Sequence, residues 1–197
     1  MNTIPSNWII LAVVLVLALL AVAALVVSQR QKQTRRLQQR FGPEYGRAID
    51  EFGSRARAEA ELKAREQRVE KLSIIPLAPA DAARFTQAWS ALQGRFIDNP
   101  KGVVVEADHL VRDLMLKRGY PMGDFERRAA DMSVDHPAVV AAYRAAQAIA
   151  IRDERGEADT EELRQAVVHY RTLFDELLEE RQPKRMEAAA AQIPVHS

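Results

Sequence analysis

Nineteen consecutive apolar side chains, Ile9 to Val27, dominate the pattern of this chain. As a helix the run spans roughly 28 Å, close to the ~30 Å hydrocarbon core of a bilayer. Beyond it the pattern turns amphipathic, with helical spacing almost throughout. The apolar helix can run on through the Gln/Arg-rich stretch to Arg40, where Phe41-Gly42-Pro43 breaks it and Pro43 starts a new element. Phe41, Tyr45, Ile49 and Phe52 mark one face of that element, and Gly53 ends it. Ser54 is placed to cap a helix from Arg55 to Leu72. Only Leu62, Val69 and Leu72 mark an apolar side there, which predicts a charged stalk, or a helix paired along one seam, rather than a core helix.

Ser73 to Pro79 reads as a connector, and from Ala80 onward every element is helical. Phe85, Trp89, Leu92 and Phe96 line the first distal helix, and Val103, Ala107, Leu110, Val111 and Leu114 line the second. Gly119 followed by Pro121 stops the second. A short element, Asp124 to Ala130, precedes Asp135-His136-Pro137, which starts a helix along Val139, Val140, Tyr143, Ala146, Ile149 and Ala150. Gly156 terminates it. The last helix opens with a capping-box pair, Asp159 and Glu162, and carries a two-heptad seam of Leu163, Val167, Tyr170, Phe174 and Leu177. Two heptads suit packing within a bundle better than an independent coiled coil. Pro183 ends the helix after Arg181, and the alanine-rich remainder has no packing pattern, so disorder is expected there.

The expected architecture is therefore all-α. Its parts are a short extracytoplasmic N-terminus (1–8), a single transmembrane helix (9–27), a basic juxtamembrane segment and helical stalk (28–72), a small four- to five-helix bundle (73–182) and a disordered tail (183–197). About 150 residues outside the span and tail suffice for one domain with a core.

Charge sets the expected orientation. No Lys or Arg precedes the run, whereas Arg30, Lys32, Arg35 and Arg36 follow it, with Arg40 close behind. The positive-inside rule then leaves the N-terminus outside and the domain in the cytoplasm of an inner or plasma membrane, with the lipid bilayer as first partner. Trp8 suits the outer interface. The competing reading is a cleaved secretory signal with Ala21-Val22-Ala23 as its cleavage site. A signal needs a basic n-region and a shorter apolar stretch, so an uncleaved anchor is favoured. With no ionisable group inside it, the span is not built for transport or proton relay.

Arg30 to Lys71 holds 12 basic and 7 acidic residues, net +5, while 73–197 holds 16 and 20, net −4. That polarity suits attraction to an anionic leaflet near the membrane and repulsion from it further out. The distal part has no dominant basic field for nucleic acid. Cysteine is absent, which excludes disulfides, thiolate catalysis and cysteine-ligated clusters.

Catalytic signatures are missing: there is no phosphate loop, zincin motif, calcium loop or nucleophile elbow. Glu106 and His109 form one half of a di-iron carboxylate helix pattern, and no second copy exists. A metal or small-ligand site with enzymatic activity would have to gather His109, His136 and His169 from three elements. The simpler reading is a solvated His109, a boundary His169, and a His136 that caps its helix or bonds to the Asp131/Asp135 loop. No cofactor is implied. The polar block from Arg118 to His136 mixes aromatics, arginines and acids, the composition of an interaction surface or of a network that fixes a loop. Tyr120, Arg127, Arg128, Asp131 and His136 are its candidate interaction residues.

Four segments carry a resemblance: Phe41-Gly42-Pro43-Glu44-Tyr45, Arg118-Gly119-Tyr120-Pro121, Ala129-Ala130-Asp131-Met132-Ser133-Val134-Asp135-His136-Pro137 and Val168-His169-Tyr170-Arg171-Thr172-Leu173-Phe174. Over roughly residues 37–180 the chain resembles a group of small bacterial membrane-anchored proteins, often labelled secreted, that have no assigned activity. The resemblance supplies a pattern and no mechanism. The expected function is a membrane-anchored, non-enzymatic interaction or scaffold module with a protein partner. A self-associating structural protein, paired through the stalk and last-helix seams, is the other non-enzymatic reading.

Overall fold

The computed structural model describes residues 6–179, and its regular structure there is helical, with no strand. Eight helices follow in order: α1 (Ser6–Phe41), α2 (Pro43–Phe52), α3 (Arg55–Val69), α4 (Pro79–Gly94), α5 (Pro100–Lys117), α6 (Phe125–Asp135), α7 (Pro137–Glu154) and α8 (Thr160–Glu179). The residues before 6, the helix end expected after Arg181 and the tail 183–197 lie outside the described residues.

α1 is one uninterrupted helix of 36 residues, about 54 Å long. Among the described residues it is the one helix long and apolar enough to cross a membrane. Every side chain from Val14 to Val27 is exposed, so none of the described residues covers this apolar surface. The same helix then enters the domain: Leu37 and Phe41 are 1% and 0% exposed. Gly42, at φ 49°, turns the chain, and Pro43 occupies the first turn of α2, where its missing N–H costs no hydrogen bond.

α2 runs back toward the membrane end of α1, and α3 rises again beside α1. The register shows the parallel course: Thr34 Oγ1 donates to Glu59 Oε1 at 2.7 Å, while Arg36 and Arg40 both reach Glu66 at 3.3 and 3.2 Å. Leu37, Phe41, Tyr45, Ala48, Ala58, Leu62 and Val69 form a core with Val134 of α6. The expected stalk is therefore corrected. Its seam exists, as Ala58, Leu62, Arg65 and Val69, but α1, α2 and α6 fill it, so residues 28–72 form a folded collar and not a free stem.

A second core unites α4 to α8, with Trp89 stacked on Phe174 at 4.6 Å between centroids. The α8 seam is spent inside it, since Leu163, Val167, Tyr170, Phe174 and Leu177 are all buried. Neither apolar stripe proposed for self-association is free. Asp159 and Glu162 cap α8 reciprocally, each accepting from the other's backbone N–H at 2.8 and 3.0 Å.

α6 runs five residues past its expected end, to Asp135, because nothing breaks it before the bend at Pro137. Its residues Arg128 to Val134 are all buried, with Ala129 and Met132 in the larger core and Val134 in the collar core. Gly119 (φ 91°) follows α5, and Tyr120 N–H bonds back to Met115 O at 3.0 Å. A Cβ at Gly119 would fall 2.5 Å from the Ser73 carbonyl oxygen, so the connector needs glycine there.

Phe41→Ala should cost about 3–5 kcal/mol by emptying the collar core. Denaturation of the full chain in detergent, followed by near-UV circular dichroism, measures it, and an exposed apolar change such as Val168→Ala should be close to neutral.

Candidate functional site

One polar joint ties the collar to the bundle and a second lies within the bundle, and the sequence-derived interaction residues fall in them. In the first, the Asp131 carboxylate on α6 is 1% exposed and accepts from Arg68 Nε of α3 at 2.9 Å, with Arg127 Nε 3.8 Å from its other oxygen. Arg40 of α1 donates through Nε to the Val134 carbonyl at 3.3 Å. On the collar's other side, Glu44 is buried at the start of α2 and accepts from Arg144 Nε of α7 at 3.2 Å. Ion pairs therefore fix the collar to α6 and α7 from two directions.

In the second joint His136 is 3% exposed, and both ring nitrogens are engaged. Nδ1 lies 3.1 Å from Glu176 Oε1 and Nε2 lies 3.2 Å from the Tyr120 hydroxyl. His136 does sit at the start of α7, but its side chain makes no cap there, and Tyr120 and Glu176 are among its partners. Arg118, also buried, donates to the Leu177 carbonyl of α8 at 2.8 Å. Arg128 bonds the Gly123 carbonyl and, at 3.2 Å, the Tyr143 hydroxyl.

Four of the five candidate residues of the expected partner-facing block are thus turned inward, while Pro121 to Asp124 and Glu126 of the same block are exposed. Tyr120, Arg128, Asp131 and His136 are buried, and of the five candidates Arg127 alone is exposed. The three histidines do not assemble: His109 is exposed, His169 half-buried, and among the described residues no three His, Asp or Glu side chains cluster as a metal site would. Arg30, Lys32, Arg35 and Arg36 stand exposed on α1 just past the apolar run.

Composition gave no signal for the collar's own polar residues. Glu44, Arg65 and Arg144 read as ordinary helix-surface charges, yet Glu44 and Arg65 are each 4% exposed. Their only signal was position, on elements whose apolar face is narrow.

What these joints leave open is a groove of about 1130 Å³ between α1, α3 and the end of α6. Arg36, Arg40, Glu66, Glu70 and Asp135 line it, and Leu37 and Val69 form part of its floor. Its charges are mixed and largely paired, and Ser73 is the one hydroxyl side chain in its described lining. Chemically the groove can hold a polar or charged segment.

Removing Arg68 strands a buried carboxylate, whereas removing Asp131 frees an arginine that can turn to water. Arg68→Ala should cost about 3 kcal/mol and Asp131→Ala about 1 kcal/mol, an asymmetry that equilibrium unfolding of the two variants would reveal. Burial pushes the Tyr143 and Tyr170 phenols above their ordinary value of 10. Asp108 raises both further, although no well-directed hydrogen bond forms to the Tyr170 hydroxyl. A raised folded-state value means full stability below about pH 10 and loss as pH rises beyond it. Phenolate absorbance should thus appear together with loss of tertiary signal, not before it. Tyr170→Phe should be neutral or mildly stabilising, because it removes an unsatisfied buried hydroxyl.

Comparison with protein-family models, curated proteins and solved structures found no match.

Proposed function

We propose that this protein is a membrane-anchored, non-enzymatic interaction or scaffold module, with its helical domain at the cytoplasmic face. The carrying observation is that the apolar helix ends inside the domain: Leu37 and Phe41 of α1 are core residues. An anchor joined by a loose linker tethers a domain but leaves its height and heading free. Here a continuous helix runs about 20 Å past Val27 into packed surroundings. Such a construction suits a platform that presents one face at a set distance from the bilayer. The basic residues after Val27 support the cytoplasmic placement.

The partner-facing surface is the groove between α1, α3 and α6, since four of the five candidates in the 118–136 block are buried. The mixed charges along it suit a protein segment carrying both signs. Helical packing and the internal engagement of His136 support a role in binding over one in catalysis.

In-cell photo-crosslinking of the full-length chain tests this. With the crosslinker at the exposed Gln67 or Glu70 of the groove, one stoichiometric protein partner should be captured. A crosslinker at the exposed Ala83 on α4 should give little of it. Recovery of the bait alone, or only of copies of itself, contradicts the reading.

A further inference from the structure

A second groove, about 850 Å³, lies lower on the α1/α3 pair and begins at the membrane boundary. Val27, the last residue of the apolar run, lines its lower end, and Arg30, Arg35, Arg55 and Lys63 line its walls. These four cations come from two helices that are far apart in sequence, and the parallel course of α1 and α3 brings them together. The single carboxylate in the lining, Glu59, already accepts hydrogen bonds from the hydroxyls of Thr34 and Tyr45 at 2.7 and 2.9 Å.

The two grooves differ in how their charges are balanced. In the upper one, Arg36 and Arg40 are paired with Glu66 at 3.3 and 3.2 Å. In the lower one, Arg30, Arg35 and Arg55 have no ion-pair partner among the described residues, nor has Lys63, which lines both grooves. Asp50 and Glu51, at the end of α2, are not part of its lining. Four cations facing one carboxylate in a concave surface leave a net positive site, with three positive charges unbalanced.

Its height identifies the occupant. Arg30 and Arg35 stand about 4.5 and 12 Å along the helix from Val27, and because helical side chains lean toward the N-terminal end the long Arg35 side chain reaches down to the headgroups from a backbone that stands above them. The headgroup layer occupies roughly 5–8 Å beyond the hydrocarbon on each side. The α2–α3 turn brings Arg55 back down toward Arg30, so the groove opens beside headgroup phosphates, with Val27 at acyl-chain depth. We propose that the α1/α3 groove of Arg30, Arg35, Arg55 and Lys63 binds the headgroup of one anionic phospholipid, whose acyl chains lie along the apolar part of α1. The bound lipid supplies the missing negative charge and clamps the base of the collar to the leaflet. The inference rests only on the anchor part of the proposed function, and loss of a protein partner would leave it standing.

The test uses full-length protein in nanodiscs containing phosphatidylcholine with a minor fraction of phosphatidylglycerol, with retained lipid counted by native mass spectrometry. Arg55→Gln/Lys63→Gln removes two cations while leaving the α1 charges that set topology. Arg84→Gln/Arg155→Gln is the charge-matched control on the bundle surface. The wild type and the control should retain one phosphatidylglycerol per chain. The groove variant, with its circular dichroism unchanged, should lose affinity roughly tenfold. Equal retention by the groove variant, or equal retention of phosphatidylcholine, overturns the proposal. Displacement of the lipid by millimolar inorganic phosphate would identify a free-anion site and overturn it as well.

Discussion

Burial of Leu37 and Phe41 is the contact on which the remaining architecture depends. These side chains belong to the helix whose other end is apolar on every side, so one rigid rod belongs to two solvents. Its upper part is covered by protein, while its lower part, from Val14 to Val27, is exposed and belongs to a helix long and apolar enough to cross a membrane. Because no turn separates the two, any force or tilt in the span passes directly into the collar core. Gly42 and Pro43 then reverse the chain at the top, which lets α2 and α3 wrap the rod and place further cations at its base.

α6 turns this anchored collar into part of the domain. It is short, but it is buried from Arg128 to Val134 and contributes to both cores. A helix so enclosed cannot carry charged groups without partners, and it has them: Asp131 takes Arg68, and Arg128 takes the Tyr143 hydroxyl. The polar residues that resemble a binding surface in sequence are therefore the fasteners between layers. Aromatic, arginine and acid together are as much the composition of a buried joint as of an interface, and burial decides between them.

Periodicity made most helices legible. The Phe85–Trp89–Leu92 and Leu163–Leu177 stripes, the Asp159/Glu162 capping box and the Gly42-Pro43 corner all follow from local chemistry, and each is present. The collar was illegible for a physical reason. α3 offers only Ala58, Leu62 and Val69 as apolar contacts, because Arg65 and the Thr34/Tyr45–Glu59 bonds do work that a wider stripe would otherwise do. A narrow stripe looks the same on a free stalk and on a helix whose remaining contacts are polar. The lower groove was hidden likewise: Arg30 and Arg35 read as topology signals, and nothing local joins them to Arg55 and Lys63.

A continuous path from bilayer to domain core is the central claim, and the cysteine-free chain makes it directly measurable. Spin labels at Ser28→Cys, just above the span, and Ala83→Cys, on α4, occupy exposed positions on the two sides of the collar. Pulsed electron paramagnetic resonance on the doubly labelled protein in nanodiscs reads the distance between them. A single narrow distribution is predicted, broadening when Phe41→Ala loosens the collar. A broad or multi-peaked distribution in the otherwise unaltered chain would place a hinge between membrane and domain and contradict the account.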